Sequence, residues 1–282
     1  MLIAFVAATL FWAALALVLS HRQVVHVMAH RGSVPSDFRE GVTLADHQKA
    51  ADYTVARERL ARADTVLDAV VTLAWVFGGI GALYGLIAAV VPPSLTRGVI
   101  FLLATTLIRS LVGLPLDLYR VFRLEARFGF NKTTVATFLA DRLKGAAIGL
   151  AVAVPLLYAA LWVMGTFRGF WWLWAWIALV VLMVAAPAIY VRLIAPRFNR
   201  FLPLEQGALR SRIEELLAQA GFRASGLFTM DASRRSSHGN AFFIGFGRAK
   251  RIVLFDTLLS RSSTEEVAAV VAHELEIGRA HV

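Results

Sequence analysis

The sequence predicts an all-α polytopic membrane protein with five transmembrane helices, followed by a smaller C-terminal portion that mixes helices and strands. Three observations predict this fold class. Hydrophobic residues make up 58% of the 282 residues and charged residues 17%, which is more apolar than a soluble globular domain. The apolar residues gather in stretches of about 20, the length that a helix needs to cross a bilayer. After residue 195 the pattern changes to that of a soluble α+β portion.

Five stretches are long enough to cross the hydrocarbon core. No basic residues precede the first stretch and no small-residue cleavage site follows it, so we expect a retained signal-anchor helix rather than a cleaved signal peptide. The third stretch is the least apolar, because it contains Arg109, Pro115 and Asp117. The predicted spans are Leu2–Leu19, Val66–Val91, Val99–Tyr119, Ala146–Gly165 and Phe170–Ala195, and together they define a membrane domain over residues 1–195.

The formal net charge of +10 would suit a nucleic-acid surface, but its distribution indicates membrane topology. The loops Ser20–Thr65 and Arg120–Gly145 carry seven and six Lys/Arg, and the region from Arg192 onward carries thirteen. The two other connections carry one each. Because Lys and Arg accumulate in cytoplasmic loops, we predict that the N-terminus lies outside and the C-terminal portion in the cytoplasm. We expect no nucleic-acid partner.

Two charged side chains inside the third span admit two interpretations each. In the first interpretation, Arg109 and Asp117 line an internal polar chamber. Burial of ionisable groups in a bilayer costs free energy, so such groups usually face a partner or water. In the second, Asp117 reaches the cytoplasmic interface and Arg109 pairs with it or with another acid. We favour the second interpretation for Asp117, and both stay open for Arg109.

The C-terminal portion is predicted to begin with a helix, continue through three strands and end with a helix. Leu204–Ala220 has apolar residues at helical spacing, and Gly221 stands at the position of a helix C-cap. Two short strands and a β-branched strand follow, the last two joined by a hairpin connection. These elements are Leu227–Asp231, Ala241–Phe246, the connection Gly247–Lys250, and Arg251–Phe255.

The last predicted helix, Thr264–Leu275, has the clearest start signal. Ser263 and Glu266 are three residues apart, which is the spacing of a capping box. This helix carries His273 and Glu274.

His273 and Glu274 form half of a metal-binding motif. In His-Glu-x-x-His, two imidazoles one helical turn apart bind one Zn²⁺, and the glutamate acts as general base. The position of the second histidine is Ile277, which has no lone pair. The chain has no cysteine, so no thiolate can replace it. On these residues alone, an ordinary surface His-Glu pair is the stronger interpretation.

The last seven residues, 276–282, have a back-translation that matches the start of a common sequencing adapter. We therefore expect that they are an artefact, that the natural protein is represented up to Leu275, and that the sequence is truncated within the zinc motif. The second histidine would then be missing data.

Three segments, in order, resemble the type I CAAX prenyl proteases, which are integral-membrane zinc metallopeptidases. The first is Phe128-Gly129-Phe130-Asn131-Lys132-Thr133 with Phe138, Asp141 and Lys144. The second runs from Met230 to Phe243, and the third is Arg251–Leu259 followed by Val271–Leu275. The family has seven spans around a water-filled chamber, so the resemblance implies two further spans after the zinc helix.

The resemblance also implies a zincin-like metallopeptidase domain, of which residues 196–275 are the first part. His273 becomes the first ligand of one Zn²⁺ and Glu274 the catalytic base, while the second histidine and a downstream glutamate ligand are absent from the sequence. An edge strand that aligns an extended peptide would comprise Asn240, Ala241, Phe242 and Phe243. For Asn240, contact with substrate backbone and capping of a turn stay open. His238 is expected to be a hydrogen-bonded loop histidine.

The predicted function is that of a zinc-dependent membrane metalloendopeptidase, which hydrolyses peptide bonds of CAAX-type or other membrane-associated substrates through zinc-activated water. The alternatives are a non-enzymatic transporter or scaffold, and a heat-shock-type membrane metalloprotease. The expected partners are a peptide or protein substrate and the lipid bilayer, with no obligate protein partner. The expected location is a bacterial inner membrane or, in a eukaryote, the endoplasmic reticulum. We expect the 282-residue chain itself to be inactive.

Overall fold

The computed structural model describes residues 1–167, 169–222, 224, 226–244 and 251–280, and within these it leaves the side chains of 188, 191, 192, 244 and 276–280 undescribed. The chain divides into two compact units, Met1–Gly129 and Phe130–Val282. The predicted connection Gly247–Lys250 lies outside the described residues.

The first unit consists of helices α1 (Leu2–His30), α2 (Leu44–Ala74), α3 (Ile80–Ala88) and α4 (Leu95–Tyr119). Helices α1 and α2 pack against each other. The second predicted span is kinked rather than straight, because a π-helical turn at Trp75–Gly79 separates α2 from α3. Gly78 has a φ of 151° in this turn, a conformation that glycine adopts readily because it has no Cβ.

An ion pair joins the second and third predicted spans within the first unit. Arg109 Nη2 lies 2.8 Å from Asp68 Oδ1, and Asp117 pairs with Arg120 at 3.3 Å. Each charge is thereby offset by an opposite charge, as ionisable groups within a membrane require. The acid that pairs with Arg109 is thus Asp68 rather than Asp117.

The second unit begins with helices α5 (Val135–Thr166) and α6 (Trp171–Ile189), which pack together, and continues through the short helix α7 (Ala195–Phe198). Helices α2, α4 and α5 each begin after a side-chain cap: the hydroxyls of Thr43, Ser94 and Thr134 accept a backbone N–H of the first turn. Such caps satisfy donors that a helix start leaves unpaired.

Four helical stretches of the described chain are long and apolar enough to cross a membrane. The fifth predicted span corresponds to a shorter apolar helix, Trp171–Pro187. The four stretches are Leu2–His30, Leu44–Ala88, Leu95–Glu125 and Val135–Thr166. The protein is therefore an integral, multi-pass membrane protein, and its helices extend beyond the predicted spans.

A four-stranded sheet follows, with the order β1-β2-β4-β3. Its strands are β1 (Phe201–Pro203), β2 (Gly226–Met230), β3 (Ala241–Ile244) and β4 (Arg251–Phe255). Strand β4 is central and pairs in parallel with β2 and antiparallel with β3, while β1 is antiparallel to β2. Helices α8 (Ala208–Gln219), α9 (Asp256–Leu259) and α10 (Thr264–Ala280) complete the unit.

The helix predicted over Leu204–Ala220 begins later in the structure, at Ala208. Residues 201–203, for which no element was predicted, form β1, and the Leu204 N–H continues the pairing of this strand by donating to the Leu227 carbonyl at 2.9 Å. The predicted end is confirmed: Gly221 has a φ of 63°, and the Phe222 N–H donates to the Leu217 carbonyl at 2.8 Å. A glycine in this conformation terminates many helices.

The core of this portion lies between one face of the sheet and helices α8 and α10. Its fully buried residues come from three elements that lie far apart in the sequence. Burial of a large apolar side chain stabilises the fold by roughly 1.5–3 kcal/mol. These residues are Ile213 of α8, Ile252 and Leu254 of β4, and Val267 and Val271 of α10. Helix α10 is thereby fixed against the sheet.

Candidate active site

Helix α10 begins at a reciprocal cap. Ser263 Oγ accepts a hydrogen bond from the Glu266 N–H at 3.3 Å, and Glu266 Oε2 accepts one from the Ser263 N–H at 2.7 Å. The predicted capping box is confirmed. The Ser263 N–H and, at 3.1 Å, the Ser263 hydroxyl donate to the Glu266 carboxylate, and these two hydrogen bonds hold the pKa of that carboxyl below its usual range.

His273 lies on the side of α10 that turns away from the core, and Glu274 lies at the flank of the core-facing side. Val267, Val271 and Leu275 face the core, and with about 3.6 residues per turn a residue two positions from both Val271 and Leu275 lies on the opposite face. His273 is accordingly exposed, and Glu274 is half-buried. The two side chains can therefore be reached from solvent without unfolding the helix.

The described donor set does not fit a complete zinc centre. Catalytic zinc takes three protein ligands, whereas no group of three His, Asp or Glu side chains that could hold a metal ion occurs among the described residues. His273 offers one imidazole, and the sequence has isoleucine at position 277. Of residues 276–282, the side chains of 276–280 are undescribed, and residues 281 and 282 lie outside the described part.

Strand β3 lies at the edge of the described sheet, and it contains three of the four residues predicted to contact substrate. Ala241 is buried, and Phe242 and Phe243 are half-buried on opposite faces, where Phe243 contacts Phe222 and Phe242 contacts Phe255. Side chains alternate between the two faces of a sheet. The free edge of β3 therefore presents backbone N–H and C=O groups.

Asn240 immediately precedes β3 and caps its start. Its Oδ1 accepts the Ala241 N–H at 2.9 Å, and its carbonyl accepts the Phe255 N–H at 3.0 Å. These two hydrogen bonds fix Asn240 at the start of β3, while the residue as a whole stays exposed.

His238 is a loop residue held by its backbone. Its N–H donates to Ser236 Oγ at 3.2 Å, and its carbonyl accepts the Thr257 hydroxyl at 2.7 Å. The imidazole stacks on the Phe130 ring with a centroid distance of 4.2 Å. His238 is thus held in its loop by backbone hydrogen bonds and a ring stack.

An ion pair between two of the quoted segments was not predicted from the sequence. Arg235 donates to both carboxylate oxygens of Asp141, at 2.7 and 3.0 Å. The hydrogen bond with Asp141 raises the pKa of the Arg235 guanidinium above its usual range. Because 94 residues separate the partners, no local pattern could have paired them.

Two family models cover most of the chain. The one described as "CAAX prenyl protease N-terminal, five membrane helices" matches residues 23–200, and the one for peptidase family M48 matches residues 203–281. The chain is similar to the crystal structure of S. mikatae Ste24p, with a TM-score of 0.88 and 29% identity over 98% of this chain and 65% of that one.

Curated relatives are longer than this chain. CAAX prenyl protease 1 of Saccharomyces cerevisiae is 41% identical over 184 residues, which are 64% of this chain and 40% of the relative. The homolog of Caenorhabditis elegans is 31% identical over 88% of this chain and 55% of its own length. The chain thus spans about half the length of these relatives.

The membrane match alone, over residues 23–200, includes more than half of the sequence, and the peptidase match continues from it in the order that the three quoted segments predict. The chain belongs to the CAAX prenyl protease family, a family of membrane proteases whose peptidase portion is of family M48.

Proposed function

We propose that this protein is a zinc-dependent membrane metalloendopeptidase that hydrolyses peptide bonds of CAAX-type or other membrane-associated substrates. One observation carries the proposal: the exposed His273 and the half-buried Glu274 are neighbours on α10, and α10 packs against β3, the edge strand of the described sheet. A metal-binding helix beside an open strand edge can hold a reactive group and an extended peptide in one place.

Each predicted site residue receives a role in this proposal. His273 is one of the metal ligands, and zinc, when bound, supplies a Lewis acid. Glu274 is the general base, because a half-buried carboxylate beside the ligand can accept a proton from water. The backbone of Ala241–Phe243 pairs with the substrate, and Asn240 borders the strand.

We expect little or no activity from the 282-residue chain alone, since one imidazole binds zinc weakly. The ligands that complete the site are proposed to be a histidine at the position that Ile277 now occupies and a glutamate further along, within sequence of the kind that the longer relatives contain. Residues 276–282 are proposed to stand in place of native residues.

The test starts from the natural gene. Its codons after Leu275 should encode a histidine at position 277, whereas a genomic run that encodes residues 276–282 followed by a stop would refute the proposal. The natural full-length protein should then contain zinc and cleave a farnesylated peptide. Glu274→Gln should lower kcat by about 10²–10⁴-fold and leave the zinc content unchanged, and undiminished cleavage would remove Glu274 from its role as base.

A further inference from the structure

The Arg235 side chain connects separate segments of the second unit. Nε and Nη2 donate to the two Asp141 oxygens, Nη1 donates to Asn199 Oδ1 at 2.8 Å, and Nη2 donates to the Phe198 carbonyl at 2.8 Å. The side chain is 24% exposed and that of Asp141 is 23% exposed. Removal of one partner of such a pair is destabilising, because it leaves the other charge partly buried and uncompensated.

The backbone around Arg235 continues the same attachment. The Arg235 carbonyl accepts the Lys132 N–H and the Thr133 hydroxyl, both at 3.1 Å, and the Ser237 N–H donates to the Phe130 carbonyl at 3.0 Å. Residues 235–237 therefore lie along residues 130–133, as an isolated antiparallel bridge between Asn131 and Ser236 also indicates.

Between Ser237 and β3 the chain stays in contact with the sheet and α9. Thr257 and Phe255 hold the carbonyls of His238 and Asn240. A Cβ at Gly239 would lie 3.3 Å from Leu258 Cα, so the backbone approaches α9 closely. A displacement at Arg235 would consequently be passed along residues 236–240 to the start of β3.

We propose that Arg235 is a positioning residue: its contacts with Asp141, Asn199 and Phe198 hold residues 235–240 in place and thereby set the edge strand β3 for an incoming peptide. This inference rests on the proposed protease function. Arg235 does not touch the proposed substrate, and it acts through the strand that does.

The proposed role needs the planar guanidinium of Arg235 and not merely a positive charge. Arginine presents five donors in a planar fork that matches a carboxylate in two places, whereas lysine is a point charge with three donors. Arg235→Lys keeps the charge and loses the two-point contact. Arg234, its exposed neighbour on the preceding 3₁₀ turn, provides the matched control Arg234→Lys.

The experiment combines kinetics with hydrogen exchange. Cleavage of a farnesylated peptide by the natural full-length protein should show a KM raised by about tenfold in Arg235→Lys, with kcat within about twofold, because substrate binding rather than the chemical step is weakened. Amide exchange of residues 236–244 should be faster in Arg235→Lys. Arg234→Lys should change neither quantity.

An unchanged KM, or a loss of kcat at unchanged KM, would overturn the inference, and so would unchanged exchange of residues 236–244. If Arg235→Lys does not fold, Asp141→Asn replaces it with the same expectations, because it keeps the volume of the carboxylate. A natural protein that cleaves nothing would refute the proposed function instead. The exchange comparison, which needs no substrate, would then still decide whether Arg235 holds the strand.

Discussion

Arg235 Nε lies 2.7 Å from Asp141 Oδ2, and Arg235 Nη2 lies 3.0 Å from Asp141 Oδ1. This two-point contact joins helix α5 to the segment that leads into the edge strand of the sheet. Since both side chains are largely buried, the loss of either partner leaves a charge without its counterpart.

A double-mutant cycle measures this ion pair. Arg235→Ala and Asp141→Ala should each destabilise the protein, and the coupling free energy between them should be about 1–2 kcal/mol, because charged hydrogen bonds are the stronger class. The measurement is the free energy of unfolding of the chain in detergent. The cycle with Arg234→Ala in place of Arg235→Ala should give a clearly smaller coupling, because Arg234 acts on Asp141 through its charge, and equal values in both cycles would contradict a specific pair.

The cap of α10 should be measurable in the same way. Ser263→Ala removes the hydroxyl that accepts the Glu266 N–H and should lower the free energy of unfolding by about 1 kcal/mol. Ser262→Ala, one residue earlier, is the control and should cost less than half as much. Faster amide exchange in the first turn of α10 would accompany the change in Ser263→Ala alone.

Glu266 predicts a dependence of stability on pH. Its pKa is lower in the folded protein than the ordinary 4.5, so its carboxylate stabilises the fold above the ordinary pKa, and this contribution is lost as the pH falls through the lowered value. Thermal unfolding from pH 6 downward should therefore show a smaller loss of stability in Glu266→Gln. Parallel curves for the two proteins would rule out the contribution.

A single substitution tests the proposed ligand geometry in the given sequence. Ile277→His puts a second imidazole one helical turn after His273, and we expect the affinity for zinc to rise at least about tenfold, since two ligands at this spacing share one ion. The control combines Ile277→His with His273→Ala and should lose the gain. An affinity that rises equally in both proteins would show that His273 is not involved.

The proposed orientation can be tested because the chain has no cysteine. Ser33 lies between α1 and α2 and Pro93 between α3 and α4, and both are exposed. With the N-terminus outside, a membrane-impermeant thiol reagent should label Ser33→Cys from the cytoplasmic side and Pro93→Cys from the opposite side. Labelling of both from one side would exclude this topology.

The sequence by itself determined the elements whose signals are local. Hydropathy over about 20 residues identified the membrane helices, the spacing of Ser263 and Glu266 predicted the start of α10, and β-branched residues predicted β4 with its observed bounds Arg251–Phe255. His273 and Glu274 were proposed as site residues in the same way, because they are neighbours in a short motif.

Only the tertiary structure decided which distant groups meet. It placed Phe201–Pro203, for which the sequence had predicted no element, at one edge of the sheet and Ala241–Ile244 at the other. It paired Arg109 with Asp68 and Arg235 with Asp141, across 41 and 94 residues. The physical reason is that strand order and ion pairs depend on how the chain returns to itself, and a short window of sequence contains the propensity of each segment but not the identity of its partner.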